Sequence, residues 1–321
     1  MTSPISSACV ILLRRCPPSI TDSSKFQILL IQRSKQLKFA GGLWVFPGGA
    51  AEACDGSDLL ITATRECFEE TGILLTSNDT KSKLCDVEKL NYRQQLMHHP
   101  SIFNEILSKS QLKLRSASSL PLMWCFVSPV TEKKRFRTNF YITTVEDSDE
   151  LVVVDDLVDR TNHDQNGRLG GETVSYQWLT PQEALSTRGI DMLPPQFYIL
   201  KFLHCFHSLD DVIVAANQCI SSPVLFHPHF LNTPISSSMN QRVILCLPGD
   251  KDYPSAQSVT PQSRSSARLH RITMDPPPRM WKNYRLHVSM DVLRDIYGER
   301  IAAQLSSLVS VDNDIDIMAK L

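Results

Sequence analysis

Apolar positions fall into strand-length runs at the start of the chain and shift to helical spacing near residue 57. Residues 8–15 (ACVILLRR) form an almost unbroken apolar run that predicts a buried strand, closed by Pro17-Pro18. Residues 25–33 predict a second strand, with the polar segment 21–24 as the turn between them. Residues 39–49 hold four of the chain's 12 glycines around a short apolar strand, 43–46. That predicts a loop–strand–loop suited to close backbone approach. Over 57–71, Leu60, Ala63 and Cys67 recur at helical spacing, and Gly72 suits the left-handed position after a helix. Ser57 is the expected N-cap, with Asp58 in the first turn. Residues 73–75 are a candidate start of another strand.

Segment 78–119 is polar and too long for a structureless loop, and its periodic pieces (87–98 and 102–114) predict a mostly helical insertion. Strands are predicted at 123–129, 135–145 and 173–179, the second rich in aromatic and β-branched residues. Segment 146–171 is acidic and then glycine-rich, hence a loop. Thr180 caps a helix that starts at Pro181, and Leu193-Pro194-Pro195 breaks the chain before a helix over 196–209. After 209 the pattern weakens. A strand at 243–247 runs into Pro248-Gly249-Asp250, 256–266 reads as surface loop, 285–288 as a strand and 289–308 as a terminal helix.

Composition narrows the class. With 42% hydrophobic and 21% charged residues, the 321-residue chain can bury a sizeable core. Its 33 basic and 34 acidic residues lack the basic excess of a nucleic-acid binder, and no apolar run nears the roughly 18 residues of a membrane span. Nine cysteines lie scattered without a C-x-x-C pair, so reduced intracellular thiols are expected rather than zinc. The final Ala319-Lys320-Leu321 is a close variant of the peroxisomal Ser-Lys-Leu address.

The chemistry sits at Arg65-Glu66-Cys67-Phe68-Glu69-Glu70-Thr71-Gly72. Glu66, Glu69 and Glu70 stand at i, i+3 and i+4, one face of a helix, where like charges repel. A hard divalent cation held by carboxylate oxygens would relieve that repulsion. The plainer reading is a solvated acidic face. Against it stand the glycine-rich entry, the helix stop and the spacing, which agree with one another.

Residues 49–73 resemble the Nudix box, G-x5-E-x7-R-E-U-x-E-E-x-G-U with U apolar. Arg65, Glu66, Cys67, Glu69, Glu70, Gly72 and Ile73 match its right half. The left half is two residues longer, and the position of the first glutamate falls on Ser57, leaving Asp55 or Asp58 as substitutes. The resemblance implies an α/β fold, a mixed β-sheet sandwiched between helices. It also implies hydrolysis of a nucleoside-linked diphosphate with Mg²⁺ or Mn²⁺ on Glu66, Glu69 and Glu70. Arg65 would orient a catalytic glutamate, and Gly48 and Gly49 would bring the backbone close to the metal. The proton acceptor would be Glu66 or a loop acid, Glu146, Asp147 or Glu172.

Flanking pieces are similar to the Nudix-motif-19 type of hydrolase: Val45-Phe46-Pro47-Gly48-Gly49, Arg135-Phe136-Arg137-Thr138, Trp178-Leu179-Thr180-Pro181, Leu193-Pro194-Pro195-Gln196-Phe197 and Pro248-Gly249-Asp250. Relatives of that type are peroxisomal diphosphatases that cut coenzyme A and acyl-CoA to 3′,5′-ADP and (acyl-)4′-phosphopantetheine. Such a substrate calls for basic residues, with Arg33, Lys35, Lys38, Arg135 and Arg137 as candidates. Phe39 or Trp44 could stack on adenine, although core packing suits Trp44 as well. ADP-ribose, NADH or another dinucleotide is the alternative substrate, and a non-catalytic binding module the alternative class. The expected organisation is a Nudix domain over 5–209 with its helical insertion, then a C-terminal extension over 210–321 packed on it. The expected partners are a small nucleotide and, through the tail, a peroxisomal import receptor, with neither nucleic acid nor membrane.

Overall fold

The computed structural model describes residues 3–16, 26–77, 84–145, 173–219, 223–231, 242–254, 268–275 and 282–309. In chain order the elements begin with β1 (Ile5–Arg15), β2 (Phe26–Arg33), β3 (Trp44–Val45), β4 (Gly48–Ala50) and α1 (Leu59–Thr71). Next come α2 (Asp86–Leu96), α3 (Phe103–Lys109), β5 (Leu122–Val127), β6 (Phe136–Thr144), β7 (Thr173–Leu179), α4 (Pro181–Ser186), α5 (Pro194–His204) and α6 (Leu209–Cys219). Strands β8 (Val224–Phe226), β9 (His229–Phe230), β10 (Val243–Cys246), β11 (His270–Asp275) and β12 (Lys282–Val288) precede α7 (Met290–Gln304).

Among the described residues eight strands form a mixed sheet in the order β3-β2-β1-β6-β5-β8, with β4 added to β1 and β7 to β2. β1 runs parallel to β6, and β5 to β8, while the remaining pairs are antiparallel. β1 is apolar at every position from Ala8 to Leu13 because both of its faces are covered there. Ala8, Val10 and Leu12 pack against Leu60, Ala63 and Cys67 of α1. Ile11 and Leu13 join the larger core beneath α5, with Trp124, Phe140, Phe197 and Phe202. The insertion forms its own cluster, in which Leu84, Leu96, Phe103, Ile106 and Leu112 close over Phe68 on the outer side of α1. The helix is thus held between the sheet and α2–α3, which fixes the strip that carries its charged residues.

Several local readings are corrected. The N-cap of α1 is Asp58, whose side chain accepts from the Leu60 N–H, and Ser57 lies one residue outside. Residues 73–75 form no strand; Ile73 and Leu75 are core residues, and the segment makes a single bridge, Thr76 to Leu114. Gly48 and Gly49, expected in a loop, pair with Cys9 and Ala8 as strand β4. Pro194 and Pro195 open α5 rather than precede it, since a ring without an N–H is tolerated in a first helical turn. Beyond residue 209, α6 and a second antiparallel sheet, β12-β11-β10-β9, exceed what the sequence pattern suggested. Val243, Leu245, Ile272, Met274, Leu293 and Ile301 of this region belong to the same core cluster as Ile11 and Phe140.

Candidate active site

Arg65 is the hub of the site. Its side chain is 1% exposed and sits among acids. Nε donates to Asp55 Oδ1 at 2.8 Å and Nη2 to Asp55 Oδ2 at 2.9 Å, a two-pronged pair. Nη1 lies 2.9 Å from Glu66 Oε1 and donates to Glu69 Oε2 at 3.3 Å. A further contact, Nη2 to the Ala50 carbonyl at 3.2 Å, ties the helix to the end of β4. The choice left open by the sequence is therefore resolved: Asp55, not Asp58, meets the arginine. A 3-10 turn in the lengthened loop, Ala53–Asp55, delivers this acid. Thr62 Oγ1 and the Glu52 N–H also donate to Asp55 Oδ2. Burial alone would raise the Asp55 pKa, but the hydrogen bonds from Arg65 and Glu52, with the Arg65 charge, carry it below its ordinary value.

Glu70 is the most enclosed of the three glutamates. Its Oε2 accepts the Gly48 N–H at 2.8 Å, and its Oε1 lies 4.0 Å from Arg33 Nη1. Glu66 and Glu69 keep 16% and 20% of their side-chain surface open. Gly49 faces Glu66 so closely that an added Cβ would fall 2.5 Å from its carboxyl carbon. Gly48 has no room for one either, because a Cβ there would sit 2.3 Å from the Ala8 carbonyl oxygen. The glycines are thus needed at a strand contact and a carboxylate contact rather than for a loose loop.

The donor set is oxygen only and partly open to solvent, which fits a hard divalent cation. Among the described residues no group of three or more His, Cys, Asp or Glu side chains that could hold a metal ion is found. Mg²⁺ is commonly bound by one or two carboxylates, with waters and substrate phosphates completing its shell. One or two of Glu66, Glu69 and Glu70 would meet that requirement.

Of the remaining candidates, Arg33 is brought to the site and Trp44 is not. Trp44 is 5% exposed, and its indole N–H donates to the Gly189 carbonyl, so it is a core residue. Phe39 is 44% exposed, on the loop after β2, and its ring centroid lies 5.0 Å from that of Phe136. Arg135 donates to the Ser128 carbonyl and lies 3.4 Å from His227 Nε2. Arg137 sits on β6, which is separated from β4 by β1, so its backbone is roughly 10 Å from β4 at two strand spacings. The loop acids Glu146, Asp147 and Glu172 and the tail Ala319, Lys320 and Leu321 lie outside the described residues.

One residue of the site was missed. Arg93 of α2 is 2% exposed and donates through Nε to the Glu69 carbonyl and through Nη2 to the Glu70 carbonyl, each at 3.0 Å. Burial draws its pKa down to about 10 against the opposing pull of the Glu70 carboxylate. The available signal was an arginine three residues before Leu96, on the apolar face of a predicted helix.

The carboxylate-bearing helix, its glycine entry and the mixed sheet define the class, that of a Nudix hydrolase domain. Within that class, residues 57–203 match the family model described as the NUDT19 Nudix domain. Nudix hydrolase 7 of Caenorhabditis elegans is 25% identical over 256 residues, 78% of this chain and 77% of that protein. Acyl-coenzyme A diphosphatase NUDT19 of Xenopus laevis is 23% identical over 355 residues, 84% of this chain and 86% of that protein. Peroxisomal coenzyme A diphosphatase ndx-8 of Caenorhabditis elegans is 35% identical over 80 residues, 25% of this chain and 33% of that protein. The crystal structure of a NUDIX hydrolase from Alicyclobacillus acidocaldarius shares the fold, with a TM-score of 0.52 at 22% identity over 67% of this chain and 97% of that one. No described helix is long and apolar enough to cross a membrane.

Proposed function

We propose that the protein hydrolyses the diphosphate of coenzyme A and acyl-CoA esters to 3′,5′-ADP and (acyl-)4′-phosphopantetheine, using Mg²⁺ or Mn²⁺. The observation that carries this is the cluster of Glu66, Glu69 and Glu70 around buried Arg65, directly beside the Gly48–Ala50 backbone. The choice of coenzyme A is supported by the names of distant relatives, two of which are diphosphatases of that substrate class. A bound divalent cation would neutralise phosphate charge and acidify the attacking water.

The chain's own groups do the rest. Glu66, Glu69 and Glu70 supply the oxygen ligands from one rigid helix. Arg65 holds Glu66 and Glu69, and Asp55 holds Arg65. The Gly48 N–H sets the Glu70 carboxylate. Glu66, partly open and facing Gly49, is the proton acceptor from the attacking water. Arg33 is positioned for the diphosphate, and Phe39 for the adenine or the acyl end, while Arg135 and Arg137 would have to reach the more distant 3′-phosphate. Residues 5–209 act as the hydrolase domain and 210–321 as an extension packed on it. The tail Ala319-Lys320-Leu321 would be read by a peroxisomal import receptor.

The test is to incubate the pure protein and Mg²⁺ with coenzyme A, acyl-CoA, NADH and ADP-ribose in parallel and resolve the products. Coenzyme A or its thioesters should turn over fastest, yielding 3′,5′-ADP, and Glu69→Gln or Glu70→Gln should abolish turnover with the fold retained. Faster cleavage of NADH or ADP-ribose would overturn the substrate, and near-normal activity of both variants would overturn the metal face. Binding without any turnover would indicate a non-catalytic module.

A further inference from the structure

We propose that Arg93, supplied by the helical insertion, is a positioning residue that holds the metal-binding carboxylates of Glu69 and Glu70 in register. The proposal rests on the reading that these two glutamates bind the cation. Helix α1 ends at Thr71, so the carbonyls of its last turn lack intrahelical partners. Gly72 N–H takes the Phe68 carbonyl and Thr71 Oγ1 takes that of Cys67. The Glu69 and Glu70 carbonyls are taken by the Arg93 guanidinium, at 3.0 Å each. The backbone of the two residues that carry two of the three proposed ligands is therefore clamped by one rigid fork.

Three features point to positioning rather than to simple packing. The fork is planar and two-pronged, a geometry that fixes orientation where lysine would provide only a point charge. A cation at a helix C-terminus also opposes the partial negative charge there. Finally, Arg65 grips the Glu66 and Glu69 side chains from one side while Arg93 grips the backbone from the other. The like-charged strip is thus braced before any cation arrives. The insertion then contributes directly to the site, and its burial of Phe68 beneath Leu96 and Phe103 brings α2 close enough for this contact.

The test uses the full-length protein and Mn²⁺ alone, with free ion followed by electron paramagnetic resonance and no substrate present. Arg93→Met should weaken Mn²⁺ binding about 10-fold, the range seen when groups supporting metal ligands are removed. Arg93→Lys should fall between it and the wild type. Leu96→Ala, which loosens the same insertion without touching the two carbonyls, should keep wild-type Mn²⁺ affinity at temperatures where it remains folded. Equal weakening in Leu96→Ala and Arg93→Met, or wild-type affinity in Arg93→Met, would overturn the proposal. If Arg93→Met does not fold, Arg93→Lys decides, and wild-type affinity there overturns it. Glu70→Gln is the separate control. Unchanged Mn²⁺ binding in that variant would remove the metal-face reading itself, and this proposal with it.

Discussion

At the scale of single residues, the site is governed by how closely charged groups are packed around Arg65. Asp55 is 3% exposed and makes both short contacts to the guanidinium. Removing one partner of a buried pair typically costs about 3–5 kcal/mol, and because Glu66 and Glu69 remain beside Arg65, Asp55→Asn should lie near about 3 kcal/mol in urea denaturation. Its pH dependence has a definite sign. The folded pKa of Asp55 lies below its unfolded value, so its contribution is present above about pH 3.9 and is lost as pH falls through the folded value. Asp55→Asn should therefore flatten the acid limb of the stability curve; an unchanged limb would contradict this. The glycines give a second contrast. At Gly49 the atoms nearest an added Cβ are those of the Glu66 carboxylate, the far end of a side chain, whereas at Gly48 they include the Ala8 carbonyl and the Cys9 Cα. Gly49→Ala should lower kcat by about 100-fold through misplacement of Glu66, with thermal stability nearly unchanged. Gly48→Ala should instead lose about 1–3 kcal/mol of stability, as overpacked sites do. Equal stability losses would refute that division.

At the scale of elements, α1 shows what periodicity reveals and what it hides. The stripe Leu60, Ala63, Cys67 and the stop at Gly72 were legible, because burial against β1 demands that spacing and a left-handed end demands glycine. The cap was misplaced by one residue. Serine and aspartate are both good caps, and only the course of the Ala53–Asp55 turn decides that Asp58 reaches the Leu60 N–H. The same turn hid the role of Asp55, since an inserted pair of residues changes sequence spacing without changing which acid arrives. Asp58→Ala should cost about 1 kcal/mol, while Ser57→Ala should stay within about 0.5 kcal/mol. Thermal denaturation of the two variants checks this, and a larger loss in Ser57→Ala would restore the original cap. What Arg93 touches, and the second sheet, were not legible for a different reason. Both depend on pairings between segments far apart in sequence, which no local period records.

At the scale of the whole molecule, the described part of the C-terminal region completes the core beneath the sheet, and a buried chain of hydrogen bonds joins the two. Trp124 Nε1 donates to Tyr297 Oη at 3.0 Å, and the Tyr297 and Tyr198 hydroxyls lie 3.2 Å apart. His270 Nε2 lies 3.2 Å from the Tyr198 hydroxyl, and Nδ1 lies 2.6 Å from the Pro248 carbonyl oxygen. The carbonyl can only accept, so Nδ1 carries the proton in the neutral ring and Nε2 accepts from Tyr198. Tyr198 then accepts from Tyr297, which accepts from Trp124, and every polar atom in the series is matched. A second proton on His270 would turn Nε2 into a donor, so the Tyr198 hydroxyl could no longer donate to the ring and its own proton would lose that acceptor. Burial accordingly drives the His270 pKa down to about 4. Between about pH 6.5 and that value the unfolded chain binds a proton that the folded chain refuses, so stability falls as pH falls. The full effect is on the order of 3 kcal/mol, and it lies above the range in which Asp55 acts. His270→Gln keeps a polar side chain without a titrating ring. Its unfolding free energy should lose about 3 kcal/mol less than the wild type between pH 7 and pH 4 in urea titrations. Parallel pH profiles for the two proteins would show that His270 is not held neutral at the junction of the two sheets.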